Sequence, residues 1–232
     1  MTLVLLDIDG TLLHGAPAAH TEALVRAMRD VHGVDASPAD VGAIGPGGRT
    51  DQEIARLVLR RHGLGDDAIT TAMPEWMRRA EAIYPGLDRD HPDPVVAPGA
   101  AAALGRIVRA GGILALLTGN LERIARAKMG RAGLGGWFPH GGGAFGSDDE
   151  RRDALVPIAL ARARAAGNGA TEVVVVGDTP RDIACARAGG ARCVAVATGP
   201  HPADALADAD AVAADLAEGA ALVEGLLRAG PS

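Results

Sequence analysis

Leu3-Val4-Leu5-Leu6-Asp7-Ile8-Asp9-Gly10-Thr11 is the segment on which the fold turns. Its short apolar run reads as a strand buried on both faces, the kind found in parallel sheets. The run stops at two acids spaced two apart and then a glycine. In extended chain Asp7 and Asp9 point to the same side, and Gly10 lets the backbone turn sharply away. The same pattern returns twice: Ile113 to Leu117 leads into Thr118-Gly119-Asn120, and Val173 to Val176 into Gly177-Asp178-Thr179-Pro180-Arg181-Asp182. Cys193 to Ala197 reads as a fourth strand and Ala209 to Ala213 as a weaker fifth. Helical patterning at Ala100 to Arg109, Leu121 to Ala132, Leu155 to Ala165 and Asp182 to Ala188 separates them. Strands alternating with helices predict an α/β fold, a doubly wound parallel sheet with a Rossmann-like core.

The stretch from His14 to Pro98 breaks that rhythm. It is helical in pattern at Thr21 to His32, Asp51 to His62 and Ala68 to Ile83, with Gly45-Pro46-Gly47-Gly48 as a turn and the Pro-rich Asp88 to Pro98 as a return linker. The division expected is residues 1–13 and 99–232 as catalytic core, and 14–98 as an inserted helical cap. The chain has 232 residues, is 48% hydrophobic and carries a net charge of −6, which speaks against a basic nucleic-acid footprint. Leu3 to Leu6 is interrupted by Asp7 and Asp9 with no basic stretch before it, and no apolar run is long enough to span a bilayer. Cys185 and Cys193 have neither a metal-ligand spacing nor a disulfide framework. A cytoplasmic protein that binds neither membrane nor nucleic acid is expected, its oligomeric state left open.

Parallel α/β sheets place their sites outside the carboxyl ends of strands, so the three polar strand ends should converge. A carboxylate such as Asp7 can attack a phosphoryl group. A second one, Asp9, can protonate the leaving oxygen and later activate water. Anionic nucleophile and anionic substrate repel, and hard oxygen ligands with phosphate select Mg²⁺, for which Asp178 is the natural further ligand. Thr118 has a hydroxyl suited to a phosphate oxygen, and the amides opening the next helix favour the same anion. Asn120 also suits a helix N-cap, and Asp182 a first-turn charge.

Together these residues resemble the haloacid dehalogenase superfamily of phosphohydrolases. Asp7 to Thr11 match its Asp-x-Asp-Gly-Thr motif, Thr118 its Thr or Ser after an apolar strand, and Gly177, Asp178 and Asp182 its Gly-Asp motif with a further acid. The insertion resembles the helical cap of the phosphoglycolate phosphatase-like branch. The resemblance implies a Mg²⁺-dependent hydrolase acting on a small phosphorylated metabolite through an aspartyl phosphate on Asp7. The catalytic residues are then Asp7, Asp9, Thr118 and Arg152, the metal set Asp7, Asp9 and Asp178, and the substrate contacts Gly10, Thr11, Gly119, Asn120 and the cap's Arg49. A phosphomutase or a non-catalytic binding module on the same scaffold stays open; a dehalogenase is disfavoured by the full acidic set.

The chain departs from the family's third motif, most often Lys followed by Pro: that slot holds Glu150-Arg151-Arg152-Asp153 instead. Arg152 lies 26 positions before Asp178 and suits a bidentate hold on phosphoryl oxygen. Its rival is Lys128, the sole lysine among 23 Lys and Arg residues. Eight residues beyond Asn120, it is expected about 12 Å along its helix by rise and away from the crevice. His14 is expected as a surface or packed residue near the entrance.

Overall fold

The computed structural model describes residues 1–15 and 18–229, so residues 16–17 of the expected cap and 230–232 of the expected core lie outside it. The chain opens with β1 (Thr2–Leu6) and the short β2 (Leu13–His14). The helices α1 (Ala18–His32), α2 (Pro38–Gly42), α3 (Asp51–Arg61) and α4 (Asp66–Arg89) follow, and β3 (Val95–Val96) closes this segment by pairing antiparallel with β2. After α5 (Ala100–Arg109) come β4 (Ile113–Thr118), α6 (Glu122–Arg131), β5 (Ala144–Phe145) and α7 (Leu155–Ala165). The remainder is β6 (Glu172–Gly177), α8 (Pro180–Ala188), β7 (Arg192–Val196), β8 (Ala211–Ala213) and α9 (Leu216–Ala229).

Six strands form one sheet in the order β5-β4-β1-β6-β7-β8, every neighbouring pair parallel. The apolar run at the N-terminus becomes the central strand. Its alternate residues serve opposite faces: Val4 and Leu6 pack with α5 and α9, whereas Leu3 and Leu5 pack with α7 and α8. Burial on both faces is why the strand sequences are uniformly apolar. This is the doubly wound sheet expected, with a helical segment inserted after β1.

The insertion has its own apolar cluster, built on Met28, Val58, Leu59, Trp76, Tyr84 and their neighbours. The cluster also takes in Leu121 and Ile124 at the start of α6, which ties the inserted helices to the sheet domain. Truncating Trp76, fully buried with its indole N–H on the Leu24 carbonyl, would cost about 3–5 kcal/mol. α4 runs on to Arg89 through Pro74 and Pro85, past the point where the sequence puts the linker. α2 and the edge strand β5 are too short to leave a periodic signal.

Candidate active site

Asp7 stands directly after β1, its N–H donating to the Val176 carbonyl of β6 at 2.9 Å. The neighbouring strands end beside it, so Thr118, Asp178 and Asp7 meet where the sheet opens. Carboxylate oxygens of Asp7, Asp178 and Asp182 lie within 4.8 Å of one another, and all three residues are buried. Gly10, with φ +90°, passes so near Asp178 that a β-carbon there would strike the carboxylate, and one at Gly199 would do the same. Thr11 donates its hydroxyl to Asp178 Oδ1 at 3.1 Å. Glycine is required in this wall because the acid is packed against bare backbone.

Asp182 caps α8 in a reciprocal box with Thr179: Thr179 N–H and Oγ1 donate to Asp182 Oδ2 at 3.0 and 2.6 Å. Its other oxygen pairs with the Arg152 guanidinium. Arg152 Nη2 also stands 3.4 Å from Asp7 Oδ1, and Nη1 donates to the Gly48 carbonyl of the insertion at 3.0 Å. Its Nε is buried with no partner among the described residues. Burial pushes the carboxyls of Asp7 and Asp178 upward. Arg152 opposes the rise in both, Asp182 adds to it, and Asp178 reaches about 7. Three buried carboxylates face one guanidinium, and the donors are hard oxygens. This set fits a divalent oxygen-seeking cation such as Mg²⁺.

Asp9 turns the other way. Lys128 donates to its Oδ2 and Oδ1 at 2.7 and 3.0 Å, and Asn120 Nδ2 to Oδ2 at 2.9 Å. Burial raises the Asp9 carboxyl, but the Lys128 ammonium and these hydrogen bonds outweigh it and hold the group below the usual carboxylate range. The expectation that Lys128 lies away from the crevice is corrected here. α6 begins only at Glu122, so the rise to Lys128 is about 9 Å, and a helical side chain points back toward the N-terminus of its helix. Lys128 is 2% exposed.

The Lys128 ammonium also meets Asn120 Oδ1 at 2.6 Å and His20 Nδ1 at 3.1 Å. Three protons thus serve Asp9, Asn120 and His20, so His20 Nδ1 accepts and the ring proton sits on Nε2. Nε2 donates to Asp51 Oδ2 at 2.9 Å, and the same oxygen accepts the Leu121 N–H at 2.8 Å. Asn120 is therefore no helix cap, and the amides of Leu121 and Glu122 are taken by Asp51 and Ser147. α3 is capped by Thr50, which accepts the Glu53 N–H. At Gly119 a β-carbon would collide with the Arg49 carbonyl, and the Gly119 carbonyl accepts the Asp51 N–H at 2.8 Å. The start of α3 is docked directly on the strand ends.

A cavity of about 810 Å³ lies between insertion and sheet. Asp7, Asp9, Gly10, Thr118, Gly119, Asn120, Arg152, Asp178, Arg49 and His14 line it, while Thr11, Lys128 and Asp182 stand behind that lining. Arg49 reaches the cavity with its guanidinium engaged by Glu53 and the Gly45 carbonyl. Sequence reasoning passed over His20, Asp51 and the Thr198-Gly199 turn. The last follows a strand and obeys the same strand-end rule as the others. His20 carries no spacing signal at all.

The profile of the haloacid dehalogenase-like hydrolases matches residues 1–190. The phosphoglycolate phosphatase of Rhodospirillum rubrum is 33% identical over 208 residues, 84% of this chain and 79% of that protein. That of Xanthomonas campestris is 31% identical over 199 residues, covering 84% and 83%. Among solved structures, CbbY from Rhodobacter sphaeroides in complex with phosphate superposes with a TM-score of 0.62 at 21% identity, over 93% of this chain and 95% of that one. At that identity the likeness concerns the fold.

Proposed function

We propose, from the premise that the chain belongs to the haloacid dehalogenase-like hydrolases and is a phosphatase-type enzyme, that it cleaves a small phosphate monoester through a phosphoryl group carried on Asp7. The observation that carries this reading is the contrast between Asp7 and Asp9. Two carboxylates two residues apart face opposite surroundings, one among acids with Arg152 and one on an ammonium. Carboxylates divided in this way take separate roles in acid–base and nucleophilic chemistry.

In the first step Asp7 attacks phosphorus, the bond from phosphorus to the ester oxygen breaks, and a proton passes to the departing alkoxide from the Asp9–Lys128 pair. In the second, Asp9 takes a proton from water as that water attacks the aspartyl phosphate, releasing inorganic phosphate and restoring Asp7. Arg152 orients Asp7 and offers its unpartnered Nε to a phosphoryl oxygen. Thr118 and the backbone around Gly10 bound the phosphoryl position. Mg²⁺ held by Asp7, the Asp9 carbonyl and Asp178 would offset the repulsion among the acids and draw charge from the phosphoryl oxygens.

In this reading residues 1–13 and 99–232 form the catalytic body and 14–98 the cap, with Arg49 facing the substrate from the cap side. Both cysteines are buried and unpaired, which suits a reducing cytoplasm, and among the described residues no helix is long and apolar enough to cross a membrane. The test is Asp7→Asn, nearly isosteric and without the attacking charge. Turnover should fall by about 10⁴-fold or more with the fold intact by circular dichroism. Activity within tenfold of the parent would rule out the covalent route. Measuring phosphate release against isomer formation separates hydrolysis from the mutase alternative.

A further inference from the structure

Opposite the carboxylates the cavity is walled by the insertion. Leu24 of α1, Val41 of α2, Ile44 in the loop after it and Ile54 of α3 line that side. Leu24, Val41 and Ile54 belong to the insertion's own core, and Ile44 packs against it, so packing holds the wall in place. Several polar side chains around it are committed elsewhere, while Thr21, His201 and Arg181, the last bonded once to the Gly47 carbonyl, also border the cavity. His20 and Asp51 bond each other, Lys128 and the Leu121 N–H; Arg49 pairs with Glu53; on the sheet side Thr198 donates to the Gly10 carbonyl at 2.5 Å. Apart from Arg152 Nε at the phosphoryl end, the buried side-chain polar atom of the lining with no partner, among the described residues, is His14 Nε2.

A polyol seated against this wall would bring hydroxyls to Leu24, Val41, Ile44 and Ile54, whose side chains offer no hydrogen bond, and each stranded hydroxyl carries a desolvation penalty. An apolar body would instead gain from leaving water. The cavity of about 810 Å³, which takes in the phosphoryl end as well as this wall, lies in the range that encloses drug-sized molecules. We infer that the substrate is the phosphate monoester of an apolar alcohol, whose body rests on Leu24, Val41, Ile44 and Ile54 while its phosphoryl group meets Asp7. The inference rests on the phosphatase reading. It separates this chain's alcohol from the two-carbon acid for which the curated relatives are named.

The experiment compares alkyl esters with leaving groups of one kind. Phosphate release by the Mg²⁺-supplied protein is measured with cyclohexylmethyl phosphate, glucose 6-phosphate, 2-phosphoglycolate and the small ester methyl phosphate. Cyclohexylmethyl phosphate keeps a six-membered ring and lacks the hydroxyls. Its kcat/KM is expected to exceed those of glucose 6-phosphate and 2-phosphoglycolate by about tenfold or more. Ile44 is partly exposed and can be changed without opening the core. Ile44→Ser should lower the cyclohexylmethyl-to-methyl ratio of kcat/KM about fivefold. A preference under threefold or reversed, or a ratio that Ile44→Ser leaves unmoved, overturns the inference and leaves the phosphatase reading standing. No phosphate release from any of the four overturns that reading and the inference with it.

Discussion

Arg152 and Lys128 each bring one positive charge to a carboxylate at the strand ends, yet their surroundings differ in charge, geometry and origin. Around Arg152 stand Asp7, Asp178 and Asp182, so when all three carboxyls are ionised one guanidinium leaves two negative charges unmatched. Around Lys128 stands Asp9 alone, with neutral Asn120 and His20 filling the other two donor directions. The planar fork of Arg152 spans two acids and a backbone carbonyl, whereas the compact ammonium serves three acceptors at 2.6–3.1 Å. In the proposed mechanism the difference places the extra cation at the Asp7 end and proton transfer at the Asp9 end. It also accounts for one lysine persisting in a chain whose other basic residues are arginine: a guanidinium could not fill the Lys128 position with the same three bonds.

The largest effect tests the unmatched charge. Chelation should remove activity and added Mg²⁺ restore it, and Asp178→Ala should raise the Mg²⁺ concentration needed for half-maximal rate. Full activity in excess chelator would erase the distinction between the two ends. Next come the cations themselves, measured side by side at saturating Mg²⁺. Arg152→Ala should lower kcat by about 10² or more and destabilise the fold by about 3–5 kcal/mol, because Asp7 and Asp182 lose a buried partner. Lys128→Ala, which sequence alone ranks as the milder change, should cost a comparable factor in kcat. The pH profile separates the two. Without the ammonium the largest influence holding the Asp9 carboxyl down is gone, and the Asn120 hydrogen bond remains to oppose burial. A higher pH is then needed to ionise it, and the acid limb of kcat should move up in Lys128→Ala alone. Lys128→Arg should fail to restore the rate.

A smaller effect is expected at His20, which reaches Lys128 from the insertion. His20→Ala removes one of three bonds to the ammonium, and kcat should fall about 2- to 10-fold while Arg152-dependent stability is unchanged. A loss as large as that of Lys128→Ala would mean that His20 does more than steady the lysine. The smallest signal is thermal. Asp178 is raised to about 7 in the folded metal-free protein, above its unfolded value, so the native state binds the extra proton. Its contribution is present at low pH and lost as pH rises toward 7. A cation that replaces this proton should raise Tm more at pH 7.5 than at pH 5, and equal shifts at the two pH values would contradict the assignment.

The strand ends were legible because their chemistry is local. β1 delivers Asp7 at its end, Gly10 turns the chain, and the capping box of Thr179 and Asp182 spans three residues. The same-side placement of Asp7 and Asp9 fails because β1 ends at Leu6 and Asp9 lies beyond the pleat. Arg152 was placed by its distance from Asp178, which the helix between them sets. Lys128 comes nearer the crevice than helical rise from Asn120 implies, because α6 starts only at Glu122 and its long side chain points back toward the start of the helix. Asp51 looked like an ordinary helix-start acid, and its bonds to His20 and Leu121 lie 31 and 70 residues away.

By itself, then, the order of apolar runs and the acids that end them determined a doubly wound sheet with a carboxylate at its centre, since burial on two faces and the two-residue period of a strand act on neighbours in the chain. Tertiary structure alone decided that Asp9 faces an ammonium, that Asp182 shares Arg152 with Asp7, and that an apolar wall closes the cavity. Those contacts join residues up to 145 apart, from Asp7 to Arg152. They depend on how α6 lies against the sheet and how closely Gly119 lets α3 approach, and helix packing of that kind leaves no periodic trace in a sequence.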